Sequence, residues 1–310
     1  MTARQTARLV PALSGLLAFS KPDRAEAVAD DPVSFPRRYP HPQDAEVVGW
    51  IAASLAYGRV ASFQGVIARI LALSEGAPYD YFLNFNPQKA RAHFEKLAYR
   101  FQTPQDLFVF ACLIHRVLQE YGRIGTSVLA CYRREETDIG PTLSRWVSKL
   151  RDQVKDEMTP GLCHLLPSPD AGSACKRLNL YLRWMVRARD GIDLGLWSEI
   201  SPSQLIIPLD THIIRISRYL GLTRRATPDW KMAQGITRSL LKFDASDPLK
   251  YDFVLCHLGI SGACPISARF ERCAACALRP ACRRGRRITR GATCPEREGL
   301  GPGDCSGFAL

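Results

Sequence analysis

The chain has 310 residues, 46% hydrophobic and 23% charged, so it has the length and apolar content for a packed core and is not a disordered segment. Its formal net charge of +12 favours a polyanionic partner, nucleic acid before an anionic membrane surface. No apolar run approaches the ~18 residues of a membrane span, and the eleven cysteines are not spread as a disulfide framework.

From the N-terminus, Arg4 and Arg8 precede Leu9–Phe19 (LVPALSGLLAF), which loosely imitates a signal peptide and reads equally well as a short amphipathic helix. Residues 30–43 (DDPVSFPRRYPHPQ) hold four prolines and read as an extended linker. The stretch 44–58 (DAEVVGWIAASLAYG) is helical, with acids in its first turn and Gly58 as its stop. Apolar periodicity predicts further helices over roughly 60–74, 88–98, 104–121, 140–156, 172–188, 208–220, 228–243 and 247–260. Turn-like breaks fall at 122–125, 160–169 and 191–195, strand signals are nearly absent, and 299–310 is Gly-rich and reads as frayed. The fold class is all-α.

Within this series, Leu205–Leu220 reads LIIPLDTHIIRISRYL. An apolar run ends at Pro208, Asp210 stands where a helix begins, and His212, Arg215 and Arg218 follow it. An aspartate there caps free backbone N–H groups, which is reason enough for its presence.

Five cysteines (Cys112, Cys131, Cys163, Cys175, Cys256) are single within apolar or helical stretches, whereas Cys264, Cys273, Cys276 and Cys282 form C-x8-C-x2-C-x5-C within nineteen residues. Such crowding suits buried thiols plus a metal site in a reducing compartment. Zinc usually takes two C-x2-C knuckles; the lone C-x2-C with unequally spaced single cysteines suits an iron–sulfur cubane better, and both stay open on spacing. Cys294 and Cys305 lie outside the set. Arg269, Arg272, Arg279, Arg283, Arg284, Arg286, Arg287 and Arg290 surround it, as a phosphate-binding surface or as balance for thiolate charge.

The string IIPLDTHIIR, followed by YDFVLCHLGISGAC and a C-x2-C-x5-C, is similar to the C-terminal half of endonuclease III-type DNA glycosylases of the helix-hairpin-helix superfamily. There, a V-D-T-H-[IV]-x-R segment supplies the catalytic aspartate and a [4Fe–4S] loop follows the last helix. The match covers about residues 205–283, and this chain has two residues more in the first cysteine gap than the family's C-x6-C-x2-C-x5-C. PVSFPRRYPHPQDAEVVGWIAASLAYGRV, YRFQTP, KRLNLYLRWMVR, DLGLW and DPLKYDF together resemble DUF2400, a bacterial family placed near the same superfamily. The L-P-G-[VI]-G-x-x-T-A hairpin signature of the superfamily is not present; Leu166–Arg177 (LPSPDAGSACKR) is the nearest segment, with Lys176 where bifunctional members carry a nucleophilic lysine. Lys176 lies 34 residues before Asp210, a separation similar to that in archaeal 8-oxoguanine glycosylases with an atypical hairpin.

The resemblance implies a helix-hairpin-helix glycosylase-like fold: residues 1–35 as an N-terminal helix and linker, 36–205 as a six-helix barrel with an atypical hairpin, and 206–310 as the catalytic-aspartate helix and cluster domain. It implies a DNA glycosylase with AP lyase activity, in which Asp210, its pKa kept low by N–H groups, stabilises charge at the sugar and Lys176 forms a Schiff base. Arg177 and Arg183 would lower the Lys176 pKa. Cys264, Cys273, Cys276 and Cys282 would hold [4Fe–4S], or zinc. Tyr57 and Arg59 are wedge candidates; Arg177, His212, Arg215, Arg283 and Arg284 are DNA-binding candidates, His212 also as an orienting partner of Asp210. Tyr181, Trp184 and Trp197 are base-pocket candidates that core packing explains as well. The expected partner is duplex DNA with a damaged or modified base, for a monomer in the cytoplasm, nucleoid-associated and off the membrane. The alternatives are a non-catalytic nucleic-acid-binding module and an RNA-directed enzyme on the same fold.

Overall fold

Proline sets where many of the helices begin. Its missing N–H costs nothing in a first turn, and its fixed φ is already helical. In the computed structural model, which describes residues 3–19, 28–267 and 269–291, prolines stand in the first turns of α2 (Pro42–Leu55), α4 (Pro78–Leu83), α5 (Pro87–Phe94), α6 (Pro104–Tyr121), α8 (Gly140–Asp152) and α9 (Pro160–Leu165). The other elements are α1 (Ala3–Phe19), α3 (Val60–Ala72), α7 (Ile124–Leu129), α10 (Lys176–Val186), α11 (Thr211–Leu220), α12 (Trp230–Leu240), α13 (Asp252–Ile260), α14 (Phe270–Ala275) and α15 (Arg283–Gly291). The protein is all-α; among the described residues, strand-like pairing is limited to the single bridge between Tyr99 and Gln102.

Two expectations change. Residues 30–43 are not an extended linker: Pro32–Ser34 and Pro36–Arg38 form 3-10 turns that bury Val33, Phe35 and Pro36, and Arg37 donates to the Ile192 carbonyl at 3.0 Å. The stretch 160–169 is not only a break, because Pro160 opens α9 and the Thr159 hydroxyl accepts from the Leu162 N–H as its cap.

Helix α2 is the axis of the core. Every residue from Ala45 to Leu55 is buried, as expected of a helix apolar around its whole circumference. Its one acid there, Glu46, accepts from Trp197 Nε1 (3.0 Å), the Gly125 N–H (3.1 Å) and Arg123, so the buried charge is fully partnered. Gly49 lets α10 approach: a Cβ there would stand 2.6 Å from Met185 Cε. Trp50 packs on Phe110 and Trp146, each at 5.2 Å between ring centroids.

One buried cluster takes in residues from Leu9 in α1 to Ala281 beside the cysteines, across the expected boundaries at 35/36 and 205/206. Leu9, Ala12, Leu13 and Leu16 give α1 its buried face, and Gln5 Nε2 donates to the carbonyls of Leu220 and Ala281 at 2.7 Å each. Among the described residues no helix is long and apolar enough to cross a membrane.

Candidate functional site

The buried run Leu205–Leu209 delivers Asp210 in extended conformation to the first turn of α11. One carboxylate oxygen, Oδ1, accepts the Ile213 N–H at 2.7 Å and caps the helix. The other, Oδ2, accepts the Cys256 S–H at 2.9 Å from α13. Burial first, then the Asp210 charge, pushes the Cys256 thiol far up, so it stays a protonated donor; the Lys176 cation opposes that rise. Lys176 begins α10, and its Nζ donates to the Ala56 carbonyl at 3.4 Å, where α2 ends and its carbonyls lack helical partners. Asp210 thus bonds that thiol directly, and the Lys176 cation acts on it through space from another helix.

A buried ion network stands behind them. One turn before Cys256, Asp252 accepts from Arg183 Nη1 at 2.5 Å, and Arg183 Nε donates to Asp193 at 3.1 Å. Arg187 bonds Asp193, Asp190 (3.3 Å) and Asp247 (2.9 Å from Nη2). Burial pushes the Asp252 carboxyl up to about 6 against the pull of Arg183, and the nearby Asp210 charge adds to the rise.

The structure places the other candidates as follows. Tyr181, Trp184 and Trp197 are at most 1% exposed, and Tyr181 and Trp197 bond Glu46, so they are core and not a base pocket. Arg177 is also buried, donating to the carbonyls of Ser54 (2.6 Å) and His164, with its guanidinium 5.1 Å from the Tyr57 ring centre; it is not a free phosphate contact. Burial lowers its pKa to about 10. Tyr57 is pinned rather than poised as a wedge: its hydroxyl donates to Tyr99 O (3.2 Å) and to Gln102 Oε1. Arg59 is exposed just before α3.

His212 makes no hydrogen bond to the Asp210 carboxylate. It fills the space above Gly259 of α13, where a Cβ would stand 2.3 Å from its Nδ1, and Arg215 Nη2 lies 3.4 Å from that nitrogen. Arg215 also donates to Cys264 O at 2.7 Å, so it fixes the cysteine loop. Arg284 bonds the Tyr219 hydroxyl and lies over its ring, whereas Arg283 is exposed against Gly221. Cys256 escaped sequence reasoning because a lone cysteine in an apolar helix carries no distinguishing spacing.

Cys264, Cys273, Cys276 and Cys282 line one cavity with Tyr219, Arg272, Arg279 and Arg284. The Gly285 N–H donates to Cys282 Sγ at 3.2 Å. The sulfurs are spread around this cavity: among the described residues no three His, Cys, Asp or Glu side chains gather tightly enough to hold a single ion. Cys294, Cys305 and the stretch 299–310 lie outside the described residues.

A sequence model of the family described as "Protein of unknown function (DUF2400)" matches residues 31–261, and the chain belongs to that family. No curated protein and no solved structure matches the chain. Asp210, Lys176 and Cys256 lie inside the matched span; the four clustered cysteines lie beyond it.

Proposed function

We propose that this DUF2400 member removes a damaged or modified base from duplex DNA as a helix-hairpin-helix-type glycosylase with AP lyase activity. The observation that carries the reading is that Asp210 bonds the Cys256 thiol while the Lys176 cation lies within electrostatic reach of that thiol, although Lys176 and Asp210 stand 34 residues apart in the chain. A half-buried amine and a half-buried carboxylate acting on one thiol are the two groups that this chemistry needs.

In the proposed reaction the Asp210 carboxylate stabilises the positive charge that grows on the sugar as the glycosidic bond stretches. The Lys176 ammonium first releases a proton to water, and the amine so formed attacks C1′; the new N–C bond forms as the base leaves with the electron pair of the old one and takes up a proton. The C1′–O4′ bond then breaks, with O4′ taking a proton as the nitrogen loses one, to leave a Schiff base; loss of a proton from C2′ forms the C2′–C3′ double bond and expels the 3′ phosphate. Cys256 is a positioning residue: by donating to Oδ2 while the Ile213 N–H holds Oδ1, it fixes the carboxylate plane.

The donor set of four thiols around one cavity fits a [4Fe–4S] cluster, which Cys264, Cys273, Cys276 and Cys282 would hold. The cluster would supply a fixed frame for the arginine-bearing loop. Arg215, bonded to Cys264 O, ties that loop to the helix that Asp210 caps.

The test is borohydride trapping on a panel of lesion-bearing duplexes, with Lys176→Ala and Asp210→Asn beside the wild type. A covalent adduct that disappears in Lys176→Ala is the expected result. No adduct on any duplex, with binding intact, refutes the lyase and leaves a monofunctional enzyme or a binding module.

A further inference from the structure

We infer that Phe101 is the side chain that enters the base stack of bound duplex DNA. This rests on the glycosylase reading above and assigns it a residue that the resemblance did not supply. Phe101 is 61% exposed, although its neighbours Tyr99 and Gln102 are 4% and 1% exposed. A large apolar ring held in water beside a reactive site asks for a ligand that covers it.

The ring is presented by a rigid tip. The Tyr99 N–H donates to Gln102 O at 2.9 Å and the Gln102 N–H to Tyr99 O at 2.8 Å, closing a two-residue turn with Arg100 and Phe101 at its apex. Arg100 sits at φ 53, a left-handed conformation unusual for a side chain of its size. Strain of this kind persists where surrounding contacts enforce it, and here they do. Gln102 Nε2 bonds Gly161 O (3.2 Å) and His164 Nδ1 (3.1 Å), and a Cβ on Gly161 would stand 2.8 Å from Phe101 O. Below the tip, Gly58 at φ +84 leaves the room Arg100 fills, since a Cβ there would meet Arg100 Nη1 at 2.9 Å.

The surroundings point to a nucleobase. Phe101 lies parallel to Tyr57, with centroids 6.2 Å apart and planes within 2°, and His164 meets it edge-on at 5.3 Å. The Arg100 guanidinium stands 5.7 Å from the Phe101 ring centre. An exposed ring offers a π-face to a base, and the exposed Arg100 guanidinium beside it suits a flanking phosphate. Tyr57 directly follows Ala56, the residue whose carbonyl receives Lys176, so the tip stands next to the amine. A nucleotide drawn out of the duplex toward Lys176 would leave its gap beside Phe101.

The experiment uses a duplex with a stable abasic analogue opposite 2-aminopurine, and a matched intact duplex. Affinity is read by anisotropy and unstacking by 2-aminopurine fluorescence. The wild type is expected to prefer the abasic duplex and raise the fluorescence. Phe101→Ala should lose about tenfold of that preference and the fluorescence rise, while Phe101→Trp restores both and shows quenching of its own emission. Full preference and fluorescence rise in Phe101→Ala overturn the inference while leaving the glycosylase reading standing. A wild type that prefers neither duplex, and traps on none, overturns both.

Discussion

Replacing Asp210 by asparagine separates two roles that one side chain combines. Asparagine caps a helix as well as aspartate does, so the 2.7 Å bond from the Ile213 N–H survives. The amide then faces Cys256, and an N–H···S contact takes the place of the present S–H···O. Lost is the favourable placement of a negative charge at a helix N-terminus, about 0.3–1 kcal/mol. Gained is relief of Asp252, whose carboxyl the Asp210 charge helps to push up. The two oppose each other, so stability should change by less than about 1 kcal/mol. Asp210→Ala also removes the cap and should cost about 1–2 kcal/mol. Chemistry should respond differently: both variants lose the carboxylate, with single-turnover base release expected to fall about 10²–10³-fold or more. Urea unfolding, with midpoint and slope fitted together, checks the first half, and single-turnover assays on the trapped duplex check the second. If Asp210→Asn keeps its activity while Asp210→Ala loses stability, Asp210 is a cap and nothing more, and the catalytic assignment fails.

Arg183→Met leaves Asp193 and Asp252 buried without their shared cation and should destabilise the fold by about 3–5 kcal/mol in chemical denaturation; a loss under ~1 kcal/mol contradicts the network's geometry. Burial, and then Arg177, depresses His164 to about 4. Because the unfolded chain protonates this group first, its contribution to stability is full above the ordinary histidine pKa near 6.5 and is lost as pH falls toward 4. His164→Gln should flatten the stability profile in that window by up to one proton's slope, about 1.4 kcal/mol per pH unit, and an unchanged slope refutes the assignment. For the cysteine cavity, protein purified without oxygen should carry iron and acid-labile sulfide in equal amounts, and Cys276→Ser should lose both; zinc without sulfide would exclude the cubane.

The helices that sequence made legible are the long periodic ones, such as 104–121, where Thr103 and Asp106 form a reciprocal capping box. Prolines misled at 30–43 and 160–169, because position within a turn decides whether proline interrupts a helix or opens one. Asp210 was legible as a helix start and, by resemblance, as a candidate catalyst. The aromatics could not be sorted by sequence: a base pocket and a core ask for the same apolar periodicity, and it is the burial of Tyr181, Trp184 and Trp197, with the bonds of Trp197 and Tyr181 to Glu46, that assigns them to the core. Cys256 and Phe101 were invisible as functional candidates for opposite reasons. One looks like any buried thiol, and exposure of the other depends on a turn closed by backbone bonds that no side-chain pattern announces.

The segments KRLNLYLRWMVR, DLGLW and DPLKYDF meet in the ion network, with Arg183 and Arg187 from the first, Asp193 from the second, and Asp247 and Asp252 from the third. A well-packed apolar cluster could stabilise the same space as well or better, since desolvation offsets much of what buried charges gain. What an apolar cluster lacks is direction. Lys176 lies seven residues before Arg183, close to two turns along α10, and Cys256 lies one turn after Asp252 along α13. The Arg183–Asp252 bond therefore sets how far α10 slides along α13 and how each is rotated. That register sets how near the Lys176 amine comes to the Cys256-bound carboxylate of Asp210. On this argument the charges are kept for alignment, and hydrophobic replacements of Arg183, Asp193 and Asp252 together would retain stability while separating the amine from the carboxylate.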